Sequence, residues 1–199
     1  MNGEKKSTGF LKRAFDLGFS GIFFLTVWPV LFGIAVIIKA TSKGSALYPQ
    51  ERLGKDRKPF MMYKFRTMHE NAEEHGPQLA KPDDPRITKF GRFLRKYHLD
   101  EMMQFWNVLK GEMSIVGPRP EREYYATQIE KLDPGYSKIY TVKPGITSLG
   151  MVKYGYASDI NKMLERSRFD IDYVENLSSS LDMKIMGETV KTILKGKGI

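Results

Sequence analysis

The stretch from Leu17 to Ile38, LGFSGIFFLTVWPVLFGIAVII, runs 22 residues without a charge, with Asp16 before it and Lys39 after it. As a straight helix it is about 33 Å long at ~1.5 Å per residue, close to the ~30 Å of bilayer hydrocarbon. A buried core helix seldom stays apolar on every face for about six turns, and a secretory signal has an apolar core roughly half this long. Pro29 interrupts the run. Its ring crowds the carbonyl of Leu25 and removes the donor that would serve it, so the helix is expected to kink or break there. Lys5, Lys6, Lys12 and Arg13 precede the run, and Lys39, Lys43, Arg52, Lys55, Arg57 and Lys58 follow it. Positive flanks favour the cytoplasmic side, so both ends favour the same side. The reading is a re-entrant membrane helix over residues 1–40, broken at Pro29, with Ser20 and Thr26 available to bond freed carbonyls. An ordinary span is the alternative. Residues 41–199 follow as one globular domain.

Working outward, 32 Lys and Arg against 23 Asp and Glu give a net charge of +9, and there is no cysteine. A disulfide framework, a thiolate metal site and a cysteine nucleophile are thereby excluded. The basic excess raises nucleic-acid binding as a possibility. It is set aside because the cations gather beside the apolar run and no DNA or RNA module is present.

The globular part is expected to be α+β, largely helical with short strands. Ala46-Leu47-Tyr48 and Phe60 to Phe65 read as extended segments. Glu70 to Asp84, with five acids against one base plus glycine and prolines, reads as a mobile surface loop. Asp84 is the expected N-cap of a basic amphipathic helix with Ile87, Phe90, Phe93, Leu94 and Tyr97 on its apolar face. A second helix follows from about Leu99 to Leu109, closed by Gly111. Asp182 to Lys195 reads as a last amphipathic helix, packed on the domain or lying among headgroups.

Asp100 and Glu101 stand at the head of that second helix. Their side chains point about 100° apart, so both can border one site, although acids also favour a first turn through the macrodipole alone. In Ser114-Ile115-Val116-Gly117-Pro118-Arg119-Pro120, the prolines hold the neighbours of each ring extended. The Arg119 guanidinium is thus carried on a stiff backbone suited to bidentate phosphate binding.

Several stretches in order carry a resemblance. Lys12-Arg13-Ala14-Phe15-Asp16-Leu17, Tyr63-Lys64-Phe65-Arg66-Thr67-Met68, Leu99-Asp100-Glu101, Asn107 to Ser114, Val116 to Pro120, Lys143-Pro144-Gly145-Ile146-Thr147, Asp170 to Asn176 and Asp182 to Met186 resemble the bacterial sugar transferases called monotopic phosphoglycosyl transferases. The likeness covers nearly the whole chain. It implies a catalytic domain over 41–199, on the cytoplasmic face of the bacterial inner membrane, moving a sugar 1-phosphate from a UDP-sugar to polyprenol (undecaprenyl) phosphate with release of UMP. This would be the initiating step of surface glycan synthesis. It also implies Asp100 as nucleophile in a covalent phosphosugar intermediate, Glu101 as its partner, and Mg2+ held by Asp100 and Glu101. Lys64, Arg95 and Arg119 are the implied cations at the phosphates, and Asp182 a further acid of the site.

Two departures from the family pattern stand out. Trp28-Pro29 replaces the usual Ser-Pro at the membrane bend, and Gly155 stands where the family arginine falls. Lys153 is the expected substitute cation, with Tyr154 or Tyr156 stacking on uracil or sugar. The rival reading is a noncatalytic membrane scaffold for glycan-assembly enzymes. UMP release separates the two.

Overall fold

The computed structural model describes residues 2–74, 76–81 and 83–196, with side chains from Gly9 onward, so that Lys5 and Lys6 fall outside the described side chains. The chain opens with helix α1, Asn2–Thr41. A β-hairpin follows, formed by β1 (Leu47–Leu53) and antiparallel β2 (Pro59–Phe65). Next come α2 (Lys89–Lys96), a 3-10 turn (Leu99–Glu101), α3 (Gln104–Lys110) and β3 (Ser114–Val116). Then α4 (Glu123–Leu132), a 3-10 segment (Pro134–Thr141), β4 (Gly145–Thr147), α5 (Leu149–Lys153), α6 (Ile160–Glu175) and α7 (Ser179–Leu194) complete the domain. The α+β reading, largely helical with short strands, holds.

Helix α1 continues through Pro29, which corrects the expectation of a helix broken there into two pieces. Nor do the two hydroxyls serve the carbonyl of Leu25. Thr26 Oγ1 donates to the carbonyls of Ile22 and Phe23 at 2.9 and 3.2 Å, and Ser20 Oγ is buried with no partner among the described residues. The helix lies along the domain on both sides of Pro29. Before it, Arg13 donates to the carbonyls of Val108 and Leu109, and the Phe23 ring stacks on Phe105 with centroids 4.0 Å apart. After it, Leu31, Ile34 and Ile38 are buried against Phe65 and Leu94. Each such side chain stabilises the docking by about 1.5–3 kcal/mol. Phe10, Ile22, Leu25, Trp28 and Phe32 stay exposed on the other faces. By length and composition, Gly9–Thr41 is long and apolar enough to cross a membrane.

The expected helix cap at Asp84 moves four residues. Thr88 caps α2, its Oγ1 accepting the Gly91 amide at 2.9 Å, because Asp84 is taken by Arg86 through a 2.7 Å ion pair and a backbone bond. The described part of the segment expected as a mobile loop is folded back instead. Arg86 donates to the carbonyls of Ala72 and Leu79, and Leu79 packs on the core of α4 and α6. Asp100 and Glu101 occupy the 3-10 turn rather than the first turn of α3, since His98 adopts left-handed backbone (φ 54°) and breaks the path between α2 and α3. At α7 the cap is Ser178, with Asp182 in the first turn.

The parallel pair of β3 with β4, unforeseen in the sequence, sets the height of Arg119. Gly117 donates to the carbonyl of Thr147 at 3.1 Å and Gly145 to that of Pro118 at 2.9 Å. A Cβ on Gly145 would lie 2.1 Å from Gly117 N, so only glycine allows the two backbones this close.

Candidate active site

A cavity of about 490 Å³ opens between the hairpin, the turn carrying Asp100, the stretch after β3 and the N-terminal end of α6. Its charged end is assembled from three elements. Lys64 comes from β2, held in register by Asn107 of α3, which accepts the Tyr63 amide at 3.1 Å and donates to the Met61 carbonyl at 2.7 Å. Asp100 and Glu101 come from the 3-10 turn. Arg119 comes from the extended stretch after β3, whose position Asp170 of α6 fixes by accepting the amides of Arg119 (3.1 Å) and Gly150 (2.8 Å).

Glu101 is clamped. Its Oε1 accepts the Lys64 ammonium at 2.6 Å and the Arg119 guanidinium at 3.2 Å. Burial pushes the Glu101 carboxyl up, but Lys64 and Arg119 together outweigh it and hold the group well below the usual carboxylate range. Asp100 is the opposite case. It is buried and accepts no hydrogen bond from the described residues, and burial followed by the adjacent Glu101 charge raises its pKa. Lys64 is lowered by burial, with Glu101 opposing. One turn therefore carries an ion-paired carboxylate next to an unpaired one facing the cavity, a separation of roles that environment alone imposes.

Around this end, Arg95 Nε donates to Thr67 Oγ1 at 2.8 Å. Helix α2 reaches Thr67 because Gly91 has no Cβ, which would lie 2.1 Å from the Thr67 carbonyl oxygen. Glu121, immediately after the Pro-Arg-Pro stretch, binds both Arg52 and Arg166, with side-chain exposures of 7%, 12% and 6%. Tyr48, Glu73, Leu79, Ala80, Arg122, Tyr125 and Tyr156 also line the cavity.

Such a cavity, with several cations and a buried unpaired carboxylate, suits a polyanionic substrate and a displacement at phosphorus. Among the described residues no group of three or more metal-ligating side chains occurs. The donor set still fits Mg2+, which takes one or two carboxylates and completes its shell with waters and substrate phosphates. Asp100 and the second oxygen of Glu101 supply that number.

Residues 7–196 match the family described as bacterial sugar transferase. The chain belongs to this family. Among its relatives, the chain is 40% identical over 189 residues to the UDP-N-acetylgalactosamine-undecaprenyl-phosphate N-acetylgalactosaminephosphotransferase of Aeromonas hydrophila, covering 95% of the chain and 45% of that protein. It is 41% identical over 182 residues to the UDP-glucose:undecaprenyl-phosphate glucose-1-phosphate transferase of Escherichia coli K12, covering 90% of the chain and 39% of that protein. The chain thus spans less than half the length of these two relatives. The exopolysaccharide production protein PSS of Rhizobium leguminosarum is matched along 98% of its length, at 37% identity over 195 residues and 94% of this chain.

Of the residues singled out in the sequence, the fold brings Lys64, Arg95, Asp100, Glu101 and Arg119 together around one cavity. Asp182 and Lys153 stand apart from it. Asp182 accepts the Lys12 ammonium at 2.6 Å and the Tyr173 hydroxyl at 2.7 Å, joining α7 to α1 and α6. Lys153 is exposed at the end of α5 and Tyr154 bonds Glu165, whereas Tyr156 and Gly155 do line the cavity. The sequence reading passed over Arg52, Glu121, Arg122 and Arg166. Only the adjacency of Glu121 and Arg122 to the Pro-Arg-Pro stretch signalled any of them. Arg166 lies mid-helix with no local cue.

Proposed function

We propose that this chain transfers a sugar 1-phosphate from a UDP-sugar to a polyprenol phosphate of the undecaprenyl type, giving polyprenyl diphosphate sugar and UMP. The step would initiate bacterial surface glycan synthesis at the cytoplasmic face of the inner membrane. The observation that carries this reading is the Asp100 carboxylate, buried, unpaired and facing a cationic cavity, beside a Glu101 already neutralised by Lys64 and Arg119. The activities for which the Aeromonas and Escherichia relatives are named support the same class of substrates.

In the proposed sequence an Asp100 Oδ attacks the β-phosphorus of the donor. The bond from that phosphorus to the oxygen bridging to the α-phosphate breaks, and UMP leaves with the electron pair. An oxygen of the lipid phosphate then attacks the same phosphorus, and the bond to Asp100 breaks, regenerating the carboxylate. Lys64 and Arg119 offset the charge of the bound diphosphate, and Asp170 keeps the Arg119 backbone in place. Mg2+ is the proposed cofactor: Asp100 and Glu101 would hold it, and when bound it screens the diphosphate oxygens.

Membrane association rests on α1. Both its halves dock on the same domain, so a straight perpendicular crossing, which would carry one end about 30 Å from that domain, fits less well than a helix that enters and leaves by one face. A re-entrant, monotopic arrangement is proposed on that ground.

Asp100→Asn keeps the shape of the group and removes its nucleophilicity. Turnover of the best UDP-sugar, read as UMP release, is expected to fall at least roughly a thousandfold, and no sugar-phosphate adduct is expected on the variant. An adduct mapped by mass spectrometry to any other residue overturns the assignment of Asp100. Absence of UMP release from the wild-type protein with every UDP-sugar tried favours the scaffold reading.

A further inference from the structure

Three carboxylates hold cations of the cavity, and they do so in two ways. Glu101 and Glu121 belong to the stretches that frame the cavity, each takes two cations, and their side chains are 13% and 7% exposed. Glu73 differs in both respects. It lies outside any helix or strand, in the connection between β2 and α2, and its side chain is 27% exposed. It accepts the Arg122 guanidinium at 2.6 Å and the Tyr48 hydroxyl at 2.8 Å.

Partly exposed ion pairs of this kind are weakly held, whereas buried ones are costly to break. The connection does not depend on Glu73 for its shape, because Arg86 already ties the carbonyls of Ala72 and Leu79 and Tyr156 Oη donates to the Ala80 carbonyl at 2.7 Å. Arg122 is therefore the paired arginine of the cavity that can change partner at least cost. It stands three positions after Arg119, a separation of at most ~10 Å along an extended chain. Both side chains line the same cavity, which places them within the compass of a single diphosphate.

We propose that Arg122 is a further donor-binding residue, taking a phosphate oxygen of the nucleoside diphosphate at the end away from Asp100, and that Glu73 is its internal competitor, displaced when the phosphate arrives. This rests on the UDP-sugar reading above. A planar guanidinium binds phosphate in the same forked geometry as carboxylate, so the exchange keeps the charge-assisted bonds and adds the second negative charge of the ligand. Departure of Glu73 also frees the Tyr48 hydroxyl to donate to the donor.

The test is a double-mutant cycle on UDP affinity, measured by calorimetry on the full chain in nanodiscs. Arg122→Gln is expected to weaken UDP binding roughly tenfold, with Arg122→Lys between the two because it keeps charge without the fork. Glu73→Gln is expected to tighten binding roughly threefold or more. The doubly substituted protein should match Arg122→Gln alone, since Glu73 then has no cation to release. Equal tightening by Glu73→Gln with and without Arg122 would mark a general charge effect and overturn the proposal, as would unchanged or weaker binding in the Glu73→Gln protein. A wild-type protein that binds no UDP overturns the donor reading and this proposal together.

Discussion

Asp100 and Glu101 are neighbours in sequence with opposite electrostatic fates, and the difference is measurable. Because burial and the Glu101 charge raise the Asp100 pKa, this carboxyl is protonated at a higher pH than an exposed aspartate. In the metal-free protein the Asp100 carboxyl, followed by NMR across a pH series, is expected to titrate above the ordinary aspartate range near 3.9. Titration at or below that range in the absence of divalent cation contradicts the environment described for Asp100. The same shift bears on stability. A carboxyl whose folded pKa exceeds its unfolded value costs stability above the folded pKa, and the cost vanishes as pH falls through both values. Asp100→Asn is therefore expected to raise Tm near pH 8 by roughly 2–4 °C, corresponding to about 1 kcal/mol for a domain of this size. The gain should disappear in acid. A catalytically dead variant that melts higher than the wild type is the signature of a site held at the expense of stability.

At the level of elements, the crossing of β3 and β4 decides where Arg119 stands. Ser114 donates to the carbonyl of Pro144 at 2.8 Å, and Gly117 and Gly145 touch backbone to backbone. Gly145→Ala forces them apart, so a loss of about 1–3 kcal/mol is expected from overpacking. UDP affinity should fall with it, because the displaced turn carries Arg119. Calorimetric melting and UDP titration on the same variant check both. The Lys143-Pro144-Gly145-Ile146-Thr147 motif thus positions Arg119, the proposed phosphate-binding arginine, from a distance. Asp182 illustrates a second role for a motif residue. Since it bonds Lys12 and Tyr173 rather than facing the cavity, Asp182→Asn is expected to lower the unfolding free energy by about 1.5–3 kcal/mol, the range for a charge-assisted bond, through a weakened α1–α7 link, with a lower Tm as the readout. UDP affinity should stay within about twofold, a change below ~0.5 kcal/mol. A large loss of UDP binding would return Asp182 to the site.

For the molecule as a whole, the docking of both halves of α1 on one domain predicts its topology. Single cysteines placed near residues 5 and 55 are expected to label only from the cytoplasmic side, and labelling from opposite sides would establish a span. Pro29→Ala should shift part of the population toward a span, because it restores the donor that serves the Leu25 carbonyl and strengthens a continuous helix long enough to cross.

The sequence by itself determined what depends on neighbours along the chain. The long apolar helix was legible because 22 uncharged residues leave no soluble face. The extended segment of β2 and the start of β1, though not their pairing as a hairpin, the Gly111 helix end and the strand at Ser114 were legible from local composition and turn chemistry. Arg119 could be named because a proline-braced arginine is unusual, and Asp100 and Glu101, whose setting is ordinary for acids, because the motifs resembled a family. Tertiary structure decided everything that depends on partners distant in sequence. Whether Asp84 caps a helix was settled by Arg86 competing for its carboxylate. Which acid is neutralised and which stays unpaired was settled by Lys64 arriving from the hairpin and Arg119 from beyond β3. The pairing of Glu121 with Arg166 spans 45 positions and that of Asp182 with Lys12 spans 170, and no local pattern encodes such separations. Lys153 faces away for the same reason: a cation two residues from a cavity-lining glycine has no fixed direction until α5 packs. Charge and periodicity are properties of the chain, whereas pKa, burial and pairing belong to the folded neighbourhood and exist only once distant segments share a low-dielectric space.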